Sequence, residues 1–148
     1  MEEKLASVEL KAGNPQVVQI EERAAAVANE WYAGDLVKTD ASGELVIATA
    51  GAILGIARRA AQGVDSTKIP VELISHDNLY VVKNTAAATV ETLIGTTADF
   101  TFTAGEHYVT TGGTTDVDIV GLDPRDDLGT SGGRLVVRFL GTAITDLP

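Results

Sequence analysis

The chain has 148 residues and a mass of 15.4 kDa, which is the length of one domain. It carries 21 acidic against 11 basic residues, and the net charge of -10 disfavours nucleic acid and anionic membranes as partners. Cysteine is absent, which excludes disulfides, thiolate metal sites and cysteine nucleophiles. The sequence has no apolar run long enough for a transmembrane helix, and its first residues lack the features of a signal peptide.

The residue types favour strands over helices. Ala, Thr, Gly and Val dominate, and aromatic residues make up only 5% of the chain. Turn signals recur at a spacing of roughly 8 to 12 residues, which is typical of sandwiches and barrels. We therefore predict a mainly β, single-domain protein, a small β-sandwich or β-barrel with an extended N-terminal arm and at most one or two short helices.

The N-terminal region is predicted to be extended. Residues 1–20 form the predicted arm, and residues 21–148 form the β-rich domain. Val8 and Leu10 alternate with polar neighbours, and a break at Gly13–Pro15 separates them from a second short β-like run. Two interpretations stay open, because an edge strand of the domain and an arm docked on a neighbouring subunit have the same pattern.

The middle of the chain contains regularly punctuated apolar runs. Asp40–Gly43 is a turn that joins the first two runs into a hairpin. Pro70 has no backbone N–H, so its strand lies at an edge or this position faces one. The predicted strands are Gly34–Thr39, Glu44–Ala48, Ala52–Ala57, Ile69–Leu73 and Leu79–Lys83.

The second half has the same character. Phe100 and Phe102 alternate with threonines and are predicted to pair across a turn at Ala104–Gly105. Alternating residues predict two further strands, Val117–Gly121 and Leu135–Phe139, with a flexible glycine-rich loop between them.

Two segments have helix propensity. Ala86–Ile94 is alanine-rich and is the main helix candidate. Glu21–Tyr32 is either a short helix or an extended passage into the next strand.

No motif for catalysis emerges from the polar residues. Ser75–Asp77 contains serine, histidine and aspartate, but adjacent side chains diverge, so a turn explains it better than a catalytic triad. His107 lies in a strand-like run and is predicted to be a surface or rim residue. The two histidines, His76 and His107, lack metal-ligand spacing.

The acidic segment Asp116–Asp127 mimics part of a calcium-binding EF-hand loop. Val120 occupies a ligand position, however, and the flanking alternation fits a strand, so a solvated acidic loop is the preferred interpretation. Gly129–Arg134 lacks the residues that complete a phosphate-binding loop. We therefore predict no enzyme activity, no cofactor and no metal site.

Several segments together resemble capsid decoration (cement) proteins of tailed phages. In that family a G-D-L-V strand, a turn and a G-I/V-A strand precede a polar turn and another strand. The matching segments are Gly34–Asp40, Ser42–Gly43, Leu45–Val46, Ile53–Ala57 and Ile69–Leu73, with Ile119–Asp126 and Gly133–Phe139 similar to the closing strands.

The resemblance implies a structural virion protein on the outer surface of an expanded phage capsid, made in the host cytoplasm. It implies a homotrimer that binds the major capsid protein and stabilises the shell against the pressure of packaged DNA, with no nucleic-acid or membrane partner. The alternatives are another virion component, such as a tail or head–tail connector module, and a small trimeric β-barrel enzyme or ligand-binding module. The predicted subunit or capsid contacts are Leu5, Val8, Leu10, Trp31 and Tyr32; for Trp31, a core position is the alternative.

Overall fold

A computed structural model describes residues 8–23, 31–49, 52–64, 66–85, 91–103, 106–111, 116–129 and 132–144. The strands, numbered in chain order, are β1 (Val8–Ala12), β2 (Val17–Glu21), β3 (Leu36–Thr39), β4 (Leu45–Ile47), β5 (Gly55–Ala57), β6 (Lys68–Leu73), β7 (Leu79–Lys83), β8 (Thr97–Thr103), β9 (Glu106–Thr111), β10 (Val117–Leu122) and β11 (Arg134–Phe139). Two short 3-10 turns, Glu91–Leu93 and Gly141–Ala143, are the helical elements of the described residues.

The strands form two antiparallel sheets in a sandwich-like arrangement, which confirms the predicted fold class. The six-stranded sheet has the order β1-β7-β11-β10-β8-β9, and the five-stranded sheet has the order β2-β6-β5-β3-β4. Because consecutive strands β1 and β2 lie in different sheets, as do β6 and β7, the chain crosses between the layers twice near its start and middle.

The hairpins predicted from alternation are confirmed. Val37 pairs with Ile47 in the hairpin of β3 and β4. Phe100 pairs with Val109 in the hairpin of β8 and β9. β10 and β11 pair with a bulge before Gly121, where one extra residue is inserted in β10.

Pro70 occupies an inner strand, at a position that faces the end of β5. β6 lies between β2 and β5, so the edge-strand interpretation is wrong. The carbonyl of Pro70 accepts a 2.9 Å bond from the N–H of Arg58, the residue that follows the end of β5. In a strand the nitrogen and carbonyl of one residue point the same way. The nitrogen of Pro70, which carries no hydrogen, therefore points just past the end of β5, where no described strand partner needs a donor.

The core consists of two apolar clusters on opposite faces of the five-stranded sheet. Leu36 and Ile56 belong to the larger cluster, which lies between the two sheets. Val37 and Ala57, their neighbours along β3 and β5, belong to the second cluster. β4 and β5 are buried along their full length, which matches their continuous apolar sequences. The five-stranded sheet is thus covered on both faces.

The helix candidates have different outcomes. Of Ala86–Ile94, residues 91–93 form a single 3-10 turn, which Gly95 ends with a φ of 90°, and residues 86–90 lie outside the described residues. Most of Glu21–Tyr32 also lies outside the described residues, and Glu21 itself ends β2.

The described part of the predicted arm, from Val8 onwards, pairs within its own chain. β1 pairs with β7, and β2 pairs with β6. Between them Gly13 adopts a φ of 128°, and a Cβ there would lie 2.1 Å from the side-chain oxygen of Asn78. Asn78 also exchanges hydrogen bonds with the backbone N–H and carbonyl of Asn14. The edge-strand interpretation thus describes residues 8–21, and residues 1–7 lie outside the described part.

Candidate interaction surface

The predicted contact residues do not form one surface. Val8 is buried in the core between the sheets, and Leu10 packs partly against the same cluster. Trp31 belongs to the second cluster. Leu5 lies outside the described residues. A subunit contact through Val8 would require the core to open, whereas Tyr32 already lies at the surface.

Trp31 and Tyr32 face opposite environments. Trp31 is 2% exposed, and its indole N–H donates a 3.0 Å bond to the carbonyl of Arg59. Tyr32 is 54% exposed and is held by a turn in which its N–H donates to the carboxylate of Asp35. The core alternative therefore describes Trp31, and Tyr32 keeps an exposed aromatic ring of the kind that serves as an interface anchor.

His107 is buried, so the prediction of a surface or rim position is wrong. The N–H of Leu36 donates to its Nδ1 at 3.3 Å, and its Nε2 lies 2.7 Å from the carbonyl of Ala48. A carbonyl only accepts, so Nε2 is the donor in the bond to Ala48, and Nδ1 also lies 3.5 Å from the buried carboxylate of Asp35. The ring packs against Phe102 at a centroid distance of 4.8 Å. His107 thereby connects β9 to the opposite sheet and has a structural role.

His76 lines an open groove of about 570 Å³ at the end of the sandwich where the chain crosses between sheets. Its Nδ1 donates a 2.9 Å bond to the carbonyl of Phe139. The hydroxyl of Ser75 accepts the N–H of Asp77 at 3.2 Å. The serine, histidine and aspartate therefore form a turn, as predicted, with the imidazole Nδ1 oriented by a backbone carbonyl.

The acidic side chains around β10 make hydrogen bonds that hold neighbouring parts of the fold together. Both carboxylate oxygens of Asp123 accept bonds of 2.9 Å from the guanidinium of Arg125, and this interaction lowers the pKa of Asp123 to about 2. Asp116 accepts the N–H of Phe100, and Asp126 accepts the N–H of Arg134. Residues 117–122 form a strand, so the helix–loop–helix of an EF-hand is not formed here.

Glu22 is a buried carboxylate that ties a loop to the end of β2. It is 1% exposed and accepts the N–H of Gln62 at 2.8 Å and that of Gly63 at 3.4 Å. Backbone donors compensate for burying a charge, because a carboxylate without partners would be strongly destabilising there. The same loop bonds to Trp31 through the N–H of Ala61.

Within the described residues, the outer edge of β2 is unpaired except at its end, where Glu22 bridges to Leu45. The carbonyl of Gln16 and the N–H of Glu22 both bond toward β6, each at 2.8 Å. Backbone direction alternates along a strand, so the N–H and carbonyl groups of the three odd residues point away from β6. Those three residues are Val17, Gln19 and Glu21. No other described strand pairs with β2 at Val17 or Gln19, whereas the carbonyl of Glu21 faces the N–H of Leu45 across the parallel bridge between Glu22 and Leu45.

The other three sheet edges are each partly covered. On β1 the N–H of Val8 donates to the carbonyl of Gly34. On β9 the carbonyl of Val109 accepts the N–H of Thr85, and on β4 the carbonyl of Leu45 accepts the N–H of Arg23. Among the described strands, β2 keeps its outer edge unpaired at Val17 and Gln19, and such an edge is a template for another chain.

The β2 edge faces a slot of about 390 Å³. A parallel bridge between Glu22 and Leu45 joins the end of β2 to the start of β4. Beside β2, the slot is lined by the end of β3 and by the turn before β4. Two of its lining residues are glutamates and none is a lysine or arginine. The lining residues, which we call the β2 slot, are Val18, Gln19, Ile20, Glu21, Thr39, Ser42, Gly43 and Glu44.

The hairpin wall of the β2 slot is held by hydrogen bonds within the chain. Asp40 accepts the N–H groups of Ser42 and Glu44 at 2.9 and 3.0 Å, and its other oxygen bonds to Arg23 at 2.8 Å. The hydrogen bond from Arg23 is the main reason why the pKa of Asp40 lies below its ordinary value. Gly43 has a φ of 80°, which the tight turn requires. The wall is therefore formed before any partner arrives.

Sequence reasoning missed this edge. The exposed alternation of β2 is readable in the sequence, but the position of β2 beside the β3–β4 hairpin depends on long-range pairing. No cluster of three or more metal-ligating side chains and no helix able to span a membrane occurs in the part of the chain that the structure describes. No protein-family model, curated protein or solved structure matches this chain.

Proposed function

We propose that this chain is a structural protein of a tailed-phage head, which binds the outer surface of the expanded capsid as a trimer and stabilises it. The shell then resists the pressure of packaged DNA because each trimer links neighbouring capsid subunits. The chain acts through its surface and its strand edges, without a chemical step.

The observation that carries this proposal is the structural use of the buried polar side chains. Glu22 binds a loop, His107 connects the two sheets, and Asp123 binds Arg125. Glu72 pairs with Arg58, and Asn78 bonds to Asn14. A catalytic site needs a group that is free to react and a partner that orients it. These buried groups are instead engaged in holding the sandwich together, which favours a binding or structural module.

The arrangement of the strands is compatible with the family resemblance. The G-D-L-V segment supplies β3, the following turn leads to β4, the G-I-A segment is β5 and Ile69–Leu73 lies in β6. The closing segment Gly133–Phe139 contains β11. An acidic surface suits the outside of a shell, away from the genome.

The solution mass, measured by light scattering after size exclusion, tests the trimer. We expect a mass about three times that of the 15.4 kDa chain. A monomer at every concentration, also when mixed with expanded capsids, would contradict the trimer. Binding is tested by sedimenting the chain with expanded capsids that lack decoration protein, and we expect it to pellet with them.

A ligand-binding module is the second candidate, because the groove beside His76 has the volume of a small-molecule site. Nδ1 of His76 is engaged by the carbonyl of Phe139, so Nε2 is the ring nitrogen left to contact a ligand. Nuclear magnetic resonance screening of polar fragments tests this candidate. Specific shifts at His76 that vanish in His76→Ala would favour it over a purely structural role.

A further inference from the structure

We propose that the β2 slot binds an extended peptide segment of a partner protein, in which apolar and basic residues alternate. The segment adds as a strand to the outer edge of β2, with its apolar side chains turned inward and its basic ones toward Glu21 and Glu44. Within the proposed function the segment belongs to the capsid protein, and to that extent the inference rests on that function.

The backbone of β2 provides the affinity. Val17 and Gln19 direct two N–H and two carbonyl groups away from β6, and no other described strand pairs with them. The N–H of Glu21 points the same way, and its carbonyl faces Leu45 across the bridge at the end of the slot. Main-chain hydrogen bonds are the source of affinity when a peptide extends a sheet. Five residues of strand span about 17 Å, so a partner segment of five to seven residues covers this edge.

Pro70 supports the outward direction of these groups independently. It lies directly opposite Gln19 in the pairing of β2 with β6. Pro70 has no N–H to offer, and its carbonyl bonds to Arg58 on the other side. Gln19 and Pro70 therefore form a pair without mutual hydrogen bonds, and the backbone of Gln19 is directed to the slot.

The side chains that line the slot define the chemistry of the partner. The side chains of Val18 and Ile20 face the second apolar cluster. A partner strand added beside β2 is therefore stabilised when its apolar side chains lie on the same side. Glu21 and Glu44 are the charged lining residues, and neither has an ion-pair partner among the described residues. Lys68 lies opposite Glu21 on β6, outside the slot lining. A strand with outward lysines or arginines complements these carboxylates.

The ring of a proline at position 19 would block strand addition while preserving the domain. Gln19→Pro removes an N–H that points into the slot, and no bond to β6 is lost. Gln19→Thr is the matched control, because it changes the side chain and keeps the N–H. The double variant Glu21→Lys with Glu44→Lys tests charge without altering the backbone.

The probe is the acetylated and amidated heptapeptide Lys-Val-Lys-Val-Lys-Val-Lys, with glutamate replacing lysine in the control peptide. We expect the lysine peptide to bind the wild-type chain, with amide shifts concentrated in residues 17–21 and 42–44. Gln19→Pro should bind it at least tenfold more weakly while its melting temperature stays close to wild type, and Gln19→Thr should bind it normally. The double lysine variant should prefer the glutamate peptide.

Shifts elsewhere, no binding, or equal binding by wild type and Gln19→Pro would overturn the proposal. Sedimentation with expanded capsids separates it from the proposed function. Peptide binding at the slot without capsid binding would support the slot and contradict decoration. Capsid binding that Gln19→Pro leaves unchanged would support decoration and overturn the slot.

Discussion

Strands β1 and β2 follow each other in the chain and show similar alternation, yet the fold uses them differently. β1 lies at the edge of the six-stranded sheet, where Val8 is buried and Glu9 reaches Arg125 at 3.4 Å. β2 lies at the edge of the five-stranded sheet, where Val17 is 44% exposed. Whether a strand edge can pair with a partner therefore depends on the elements that lie beside it, and not on the strand's own sequence pattern.

The largest effect is expected where the two strands separate. Gly13→Val would place a branched side chain at a φ of 128°, against Asn78. We expect a loss of about 3 kcal/mol or more, from backbone strain and from hydrogen bonds lost between Asn14 and Asn78. Urea unfolding measures it. A variant as stable as wild type would show that this junction does not hold β1 and β2 in place.

Matched truncations compare the strands directly. Val8→Ala should destabilise the protein by about 2 kcal/mol, because two buried methyl groups are lost and a small cavity remains. Val17→Ala should change stability by less than about 0.5 kcal/mol, because Val17 is exposed. Thermal and urea unfolding of both variants provide the comparison. Equal losses of stability in the two variants would contradict the conclusion that β1 is buried in the core and β2 is exposed at its edge.

The ion-pair network beside β1 gives a pH dependence. Arg125 lowers the pKa of Asp123 from 3.8 to about 2 in the folded protein. The folded-state pKa is depressed, so the stabilisation is present above pH 3.8 and is lost as pH falls toward 2. We expect Asp123→Asn to be less stable than wild type at pH 6, with the gap narrowing between pH 4 and 2. A constant gap across that range would contradict the assignment.

The smallest effect concerns the exposed charges of the two strands. Glu9→Gln removes a solvent-exposed pair with Arg125 and should cost no more than about 0.5 kcal/mol. Glu21→Gln should leave the free energy of unfolding unchanged, because Glu21 has no ion-pair partner among the described residues. Urea unfolding at low and high salt measures both. A larger loss for Glu21→Gln would show that its carboxylate is engaged within the domain.

Local pattern predicted much of this fold. The alternation around Phe100 and the turn at Asp40–Gly43 identified their hairpins, because both strands and the turn are adjacent in the chain. The sequence could not show that β1 pairs with β7, since that pairing spans about seventy residues. It also misplaced His107, whose partners Leu36 and Ala48 come from the opposite sheet.

The candidate site, like the long-range strand pairings, could not be predicted from local sequence patterns. Exposure of Val17 is visible in the alternation, but the slot exists only because the β3–β4 hairpin stands beside β2. Of the two adjacent aromatic residues predicted as contacts, Trp31 lies in the core and Tyr32 lies at the surface. Residues next to each other in sequence can thus belong to different functional environments.

Sedimentation with expanded capsids that lack decoration protein tests whether the chain binds the outer surface of the shell and stabilises it. We predict saturable binding at a ratio of one trimer per threefold or quasi-threefold position, together with greater resistance of the shells to heat. A chain that stays in the supernatant at saturating concentration, and shells no more resistant than before, would contradict the account.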